Sequence, residues 1–341
     1  MESPNRILVI QLRQLGDVVL TAALLEDLRE AFPLATLDVL TGPRPAALVQ
    51  GNPFLSELLV YDRDRPLGMA REIRARDYTW VIDPQSSPRT APLALLSGAS
   101  RRVGWAIRGP WRFAYSDRIS RRVQEEYVVR QRQRFLERLG VPTRPRVPRI
   151  FLGGEERARG IELVRALMKG ADAPSVGMVL SARVAGTRWP AERFAELAAR
   201  LAADGLVPVV IRTVGDEELV AEVLARAPGA VRADVPDLRP FAAVLAALDV
   251  FVSGDTGPAH IAMGVGTPTV TLYGASRAVR WNPGLPTTVA VSSPRAHCEA
   301  CREARSRAAP GHTCILEIGV EEVHASVRSL LHRLANVDRT G

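Results

Sequence analysis

Residues 250–274, VFVSGDTGPAHIAMGVGTPTVTLYG, decide how the chain folds. Val250, Phe251 and Val252 make a short apolar run that fits a buried parallel strand. A turn of small and capping residues follows, Ser253 to Gly257. Pro258 suits the first turn of a helix, where its missing N–H is no loss. The helix runs on through small apolar residues, ends at Gly266, and cannot continue through Pro268. Residues 269–273, TVTLY, form the next strand. This βαβ unit sets Asp255, Thr256, Gly257 and His260 at one helix N-terminus, where free N–H groups and the positive end of the helix dipole attract an anion. Asp and Thr are also favoured N-caps, so the same pair reads equally as a plain helix cap.

Upstream the same alternation recurs. Residues 6–12, RILVIQL, read as a buried strand, residues 13–17 as a loop, and residues 18–32 as an amphipathic helix closed by Pro33. Strands are expected at 36–41, 58–61, 80–83 and 102–105, with helices at 71–77, 89–96 and 124–139 between or after them. Strand–helix alternation implies a parallel α/β sheet. The arginine-rich stretch 108–122 reads as irregular and solvated. Three prolines within 141–148 mark the run-out of a first domain, and residues 170–174 read as the linker. A second alternation begins with the strand at 175–182 and a helix at 191–203. It continues with a strand at 207–212, a helix at 238–248, and a C-terminal amphipathic helix at 320–334. The domains are therefore expected at 1–170 and 171–320, with residues 321–341 packing back on the first domain.

At 341 residues the chain is too long for one ordinary core and suits two domains. No apolar run reaches the roughly 18 residues of a membrane span, and the N-terminus enters a strand directly, so a cytoplasmic protein is expected. The net charge is +8, and Lys169 is the only lysine. With 5% aromatic residues and no basic run or nucleic-acid motif, the arginines do not read as a nucleic-acid surface. They suit phosphate, an anionic membrane face or an anionic glycolipid better. The first loop has one glycine in place of G-x-G-x-x-G, which disfavours a nicotinamide or flavin enzyme. Cys298 and Cys301 form a single C-x-x-C, with Cys314 nearby and His297 or His312 as a conceivable fourth ligand. This cluster reads as a reduced structural motif rather than a zinc site.

SGDTGPAHIAMGVGTPTVTLYG and the opening QLRQLGDVVLTAALLEDLREAFP together resemble the heptosyltransferase-like glycosyltransferases of family 9. The resemblance implies the GT-B arrangement, two Rossmann-like domains facing each other across a cleft. It implies an inverting transfer of a sugar from a nucleotide donor, ADP-heptose above all, to a hydroxyl of a glycolipid or other glycan, with no cofactor and no metal. It makes Asp17 the catalytic base. It puts donor binding on Arg183, Thr187, Arg188, Glu217, Asp255, Thr256, Gly257 and His260, with Glu217 on the ribose. The family's lysine is replaced by Thr187, so the pyrophosphate charge falls to Arg188 or Arg183. An ADP-sugar-binding protein without transferase activity and a GT-B nucleotide-sugar epimerase are the alternatives.

Overall fold

The computed structural model describes residues 4–120, 125–182, 187–294 and 314–337. The chain divides into two compact units, Met1–Phe151 and Leu152–Gly341.

The first unit is built on β1 (Arg6–Ile10), α1 (Leu15–Ala31), β2 (Thr36–Thr41), α2 (Pro43–Val49), β3 (Glu57–Val60), α3 (Pro66–Ala75), β4 (Trp80–Asp83), α4 (Ala91–Leu96), β5 (Arg101–Trp105), β6 (Asp117–Ile119) and α5 (Val128–Arg138). Its six strands are all parallel, in the order β3-β2-β1-β4-β5-β6. β1 lies at the centre and shows why the sheet is covered on both faces. Ile7 and Val9 point into one cluster with Leu24, Leu25, Leu28 and Phe135. Leu8 and Ile10 point into another with Met69, Ile73, Val81 and Leu93. A strand with alternate residues in two cores must be apolar throughout, which is why this one carries no polar residue after Arg6.

The second unit holds α6 (Gly154–Leu167), β7 (Ser175–Val179), α7 (Ala191–Ala203), β8 (Val207–Arg212), α8 (Glu217–Arg226), β9 (Val231–Asp234), α9 (Leu238–Ala246), β10 (Val250–Gly254), α10 (Gly257–Val265), β11 (Thr269–Tyr273), α11 (Ala278–Trp281), β12 (Thr288–Ser292) and α12 (Val320–Val337). Its order is β12-β11-β10-β7-β8-β9, again all parallel. With this second sheet read from its other edge, each unit has its own strands in the order 3-2-1-4-5-6, the doubly wound dinucleotide-fold topology.

Two domain expectations are corrected. The boundary falls after Phe151, not at 170, because α6 belongs to the second unit. There it packs against α9 so closely that a Cβ on Gly160 would lie 2.2 Å from the Ala243 carbonyl oxygen. The C-terminal helix also belongs to the second unit. Val323, Val327 and Leu330 of α12 are fully buried in the core that Val176, Phe194, Leu197 and Val252 share. Trp189 fixes the entry to α12 by donating its indole N–H to the Ile318 carbonyl at 3.0 Å. The stretch expected to be irregular also holds order, with a 3₁₀ helix at Pro110–Ala114 and then β6, an edge strand of three residues. α2, β6, β9, α11 and β12 are short elements that the hydrophobic pattern did not single out.

Candidate active site

In a doubly wound sheet the loops diverge on either side of the first strand, and ligands bind beyond the carboxyl ends of the strands at that point. In the second unit this point lies between β7 and β10, neighbours in the sheet. The loop after β7 carries Thr187 and Arg188, and the loop after β10 carries Asp255 and Thr256. The two loops touch. A Cβ on Gly254 would fall 2.3 Å from the Thr187 carbonyl oxygen, so only glycine lets the Thr187 backbone lie against the end of β10. Thr187 itself is buried.

Thr256 occupies the N-cap position of α10 by backbone geometry, but its own side chain makes no cap hydrogen bond. Its Oγ1 instead donates to the Gly254 carbonyl at 3.3 Å. The plain-cap reading therefore fails for Thr256, and the N–H groups of Gly257 and Ala259 have no intrahelical acceptor. Pro258 sits within the first turn, and Gly266 ends α10 in the left-handed conformation at φ 92°, both as the sequence requires. His260 is buried on α10. Its Nε2 is 3.7 Å from Asp255 Oδ1, beyond hydrogen-bond reach, and its ring leans on Trp281 at a centroid distance of 5.8 Å.

Arg188 is exposed and makes no ion pair among the described residues; its guanidinium donates to the Ala182 carbonyl at 2.9 Å. That bond turns the side chain back toward Ala182, just past the end of β7. Arg183 lies outside the described residues, as do Cys298, Cys301, His297 and His312. Cys314 is buried in a 3₁₀ turn before α12.

Glu217 opens α8, one loop further along the sheet. That loop is braced to the site: Ser181 and Thr213 share a hydroxyl hydrogen bond of 2.7 Å. The buried Asp216 accepts from the Thr213 N–H and hydroxyl at 2.8 and 2.7 Å. Glu217 has an open flank but engaged oxygens. Arg232 lies 2.7 Å from Oε1 and Arg212 3.4 Å from Oε2, and both arginines also hold Asp234, whose carboxyl they keep below the ordinary carboxylate range.

Asp17 belongs to the first unit. It lies within the first turn of α1, whose N-cap is Gln14, so it is neither in the loop before the helix nor a cap. Arg132 of α5 holds it. One guanidinium nitrogen donates to Asp17 Oδ1 at 2.5 Å and another to the Asp17 carbonyl at 2.6 Å. Arg132 is almost fully buried, whereas the Asp17 side chain is 33% exposed. Oδ2 has no hydrogen-bond partner among the described residues, so one carboxylate oxygen is pinned and the other is open. A second rung ten residues on repeats the tie, with Gln133 donating to Asp27 at 2.7 Å.

Sequence reasoning missed Gln85. It follows β4, and β1 and β4 flank the equivalent divergence point of the first sheet. Its Oε1 accepts the backbone N–H groups of Leu12 and Arg13 at 2.9 and 3.1 Å, clamping the loop that leads to Asp17. The clamp is itself anchored. Asp83 is wholly buried and accepts from the Tyr115 hydroxyl at 2.6 Å and the Ser86 N–H at 2.9 Å. Burial pushes its carboxyl up to about 6. No spacing rule links residue 85 to residue 12, because the contact exists only once β1 and β4 are neighbours.

The match to known proteins is broad. Residues 67–312, more than half of the chain, fit the model of glycosyltransferase family 9 (heptosyltransferase). The chain belongs to glycosyltransferase family 9. It is 22% identical over 301 residues to the lipopolysaccharide core heptosyltransferase OpsX of Haemophilus influenzae, covering 83% of this chain and 82% of that one. The crystal structure of a family 9 glycosyl transferase from Veillonella parvula superposes with a TM-score of 0.84 at 26% identity, covering 98% and 99% of the two chains. The E. coli ADP-heptose lps heptosyltransferase II superposes at 0.78 with 21% identity, over 97% and 99%. As a family 9 protein the chain is a glycosyltransferase, and its paired α/β units are those of its GT-B structural neighbours. Among the described residues no helix is long and apolar enough to cross a membrane.

Proposed function

We propose that this glycosyltransferase moves heptose from ADP-heptose to a hydroxyl of an anionic glycolipid of the lipopolysaccharide type, with inversion and without a metal. The observation that carries the reading is the contact of the Thr187 backbone with the end of β10, three residues before α10, whose N-cap residue Thr256 does not cap it with its side chain. That corner offers first-turn N–H groups without an intrahelical acceptor, a positive helix end and an exposed guanidinium, which together suit a diphosphate. Arg183, four residues before Thr187, adds a second cation to the same loop.

In this reading Glu217 accepts the ribose hydroxyls. Its ion pairs are exposed and therefore weak enough to yield to them. Asp255 anchors hydroxyls of the donor sugar, and His260 supports the turn. The acceptor oxygen attacks the anomeric carbon as the bond from that carbon to the diphosphate oxygen breaks. ADP leaves, its charge met by Arg188 and the α10 N-terminus. The acceptor proton passes to the open Oδ2 of Asp17, while Arg132 keeps Oδ1 fixed. The protein works at the cytoplasmic membrane face, where such an acceptor is presented.

The test is turnover by the full chain, with and without a glycolipid acceptor, after a thermal-shift comparison of ADP-heptose, other ADP-sugars and UDP-sugars. ADP release that requires acceptor and survives a chelator is expected. Conversion of the donor alone would make the protein an epimerase, binding without turnover would make it an ADP-sugar-binding protein, and activity lost to EDTA and restored by magnesium would overturn the metal-free mechanism.

A further inference from the structure

From Pro84 to Ser116 the chain has five arginines and no acidic residue. This stretch holds α4, β5 and the 3₁₀ helix Pro110–Ala114. α4 and the 3₁₀ helix pack on each other. Their inward residues, Leu93, Ala94, Ala114 and Tyr115, lie in the core on one face of the first sheet. Arg102 fastens the two together, donating to the carbonyls of Ala99 and Ala114 at 2.5 and 2.8 Å.

What this firmly held pair leaves outside is unusual. Phe113 is 65% exposed and is the only exposed phenylalanine, tyrosine or tryptophan among the described residues. Leu95 and Leu96 at the end of α4 are exposed as well. Single exposed leucines are ordinary on a protein surface, but an exposed phenylalanine and an exposed leucine pair on two elements packed on each other are not. Arg89, Arg108 and Arg112 are exposed and form no ion pair among the described residues. The Arg112 guanidinium lies 4.4 Å over the Phe113 ring, so a charge travels with the apolar group. Several arginines elsewhere in this unit are held by carboxylates instead, as Arg76 is by Glu57 and Glu72, and Arg146 by Glu26, Asp27 and Glu30.

We propose that α4 and the 3₁₀ helix Pro110–Ala114 form a docking surface for an anionic lipid bilayer. Phe113, Leu95 and Leu96 enter the interfacial layer, and Arg89, Arg108 and Arg112 sit against the headgroup phosphates. The chemistry selects that occupant. A protein partner or a strand of nucleic acid could take up the positive charge, but aromatic and aliphatic groups flanked by unpaired arginines match a surface that is apolar within and anionic at its rim. The proposal deepens the glycolipid reading by naming the surface that meets the membrane. It is tested by binding rather than by transfer, so the two can fail separately.

The experiment uses the full chain and sedimentation with vesicles of phosphatidylcholine alone or mixed with phosphatidylglycerol. Partition into the anionic vesicles, weakened by salt, with little binding to the neutral ones, is expected. An arginine near an anionic surface is worth about fivefold in partition, so the triple variant R89Q/R108Q/R112Q should lose roughly a hundredfold. The double variant L96S/F113S, which keeps the charge, should lose about tenfold or more. ADP affinity by thermal shift should be unchanged in both, which shows that the variants are folded. No partition of the wild-type chain into anionic vesicles would overturn the proposal. So would wild-type partition by the triple variant, or binding that is indifferent to L96S/F113S and displaced equally by a nucleic acid, since that would describe a general polyanion site.

Discussion

The two halves of this protein share one strand order and differ in what stands where their loops diverge. In the second unit the space is kept open by glycine and filled by backbone. Gly254 lets Thr187 approach, and the N-cap residue Thr256 gives α10 no side-chain cap. In the first unit side chains fill it. Gln85 clamps the loop after β1, and Arg132 pins Asp17 from behind. Backbone N–H groups stabilise negative charge and cannot take a proton. A carboxylate with one oxygen held and one open can take one and offers an anion nothing. On the proposed mechanism, the same fold, used twice, separates leaving-group stabilisation from base chemistry by which atoms each unit presents.

The comparison breaks most plainly at Asp17. Asp17→Asn should leave ADP and donor binding nearly unchanged and lower turnover by roughly a hundredfold or more, as expected for loss of a general base. Asn can still accept from Arg132, so the α1–α5 tie persists. A stable Asp17→Asn enzyme with wild-type turnover would reduce the residue to a strut between those helices.

The anchoring of the first unit has its own signature in pH. Asp83 has its carboxyl raised by burial from 3.8 to about 6, so the folded state holds the proton more tightly than the unfolded one. Its contribution is fully present below about pH 4 and is lost as the pH rises through 6; the rise corresponds to about 3 kcal/mol. Chemical denaturation of wild type and Asp83→Asn at pH 4.5 and 7.5 should show a difference between the two proteins that changes with pH in that sense. Parallel behaviour of the two would mean that Asp83 does not titrate in this window.

In the second unit, Arg188→Ala should weaken ADP and donor binding alike by about tenfold or more, the worth of a charge-assisted contact. Thr187→Lys should leave binding intact or tighten it. Isothermal titration with ADP is the measurement, and an unchanged Arg188→Ala affinity would move the charge to Arg183.

The smallest effect expected is at the ribose. Glu217→Gln should reduce donor affinity, while Arg232→Gln, which removes only an exposed partner of Glu217, should leave it within about fivefold. Equal losses in the two variants would show that the ion-pair network, not the carboxylate, shapes that end of the site.

Local sequence determined a great deal here. Apolar runs bounded by glycine and proline located the central strands, because a strand buried on both faces has no choice of residue. β2, β4, β8 and β11, and the helix α7, stand where the pattern puts them. The helix that Pro258 opens and Gly266 closes was legible for the same reason: backbone conformation at those two residues is a local property. The long motif at 250–274 carried the family. Edge elements such as β6 and β9 were not legible, because a short, half-exposed strand makes no periodic demand on its residues.

Only the tertiary structure decided the rest. Nothing near position 17 announces Arg132, which lies 115 residues away and reaches Asp17 only because α1 and α5 cover the same face of one sheet. Gln85 meets residue 12 only because β4 is laid beside β1. The place of α6 and α12 in the second unit depended on which core could bury Gly160, Val323 and Leu330, a question of shape rather than of pattern. Short-range chemistry fixes where the chain turns and which groups it presents. Whether a presented carboxylate is a cap, a strut or a base depends on what arrives beside it from a distant part of the chain, and that is settled by packing.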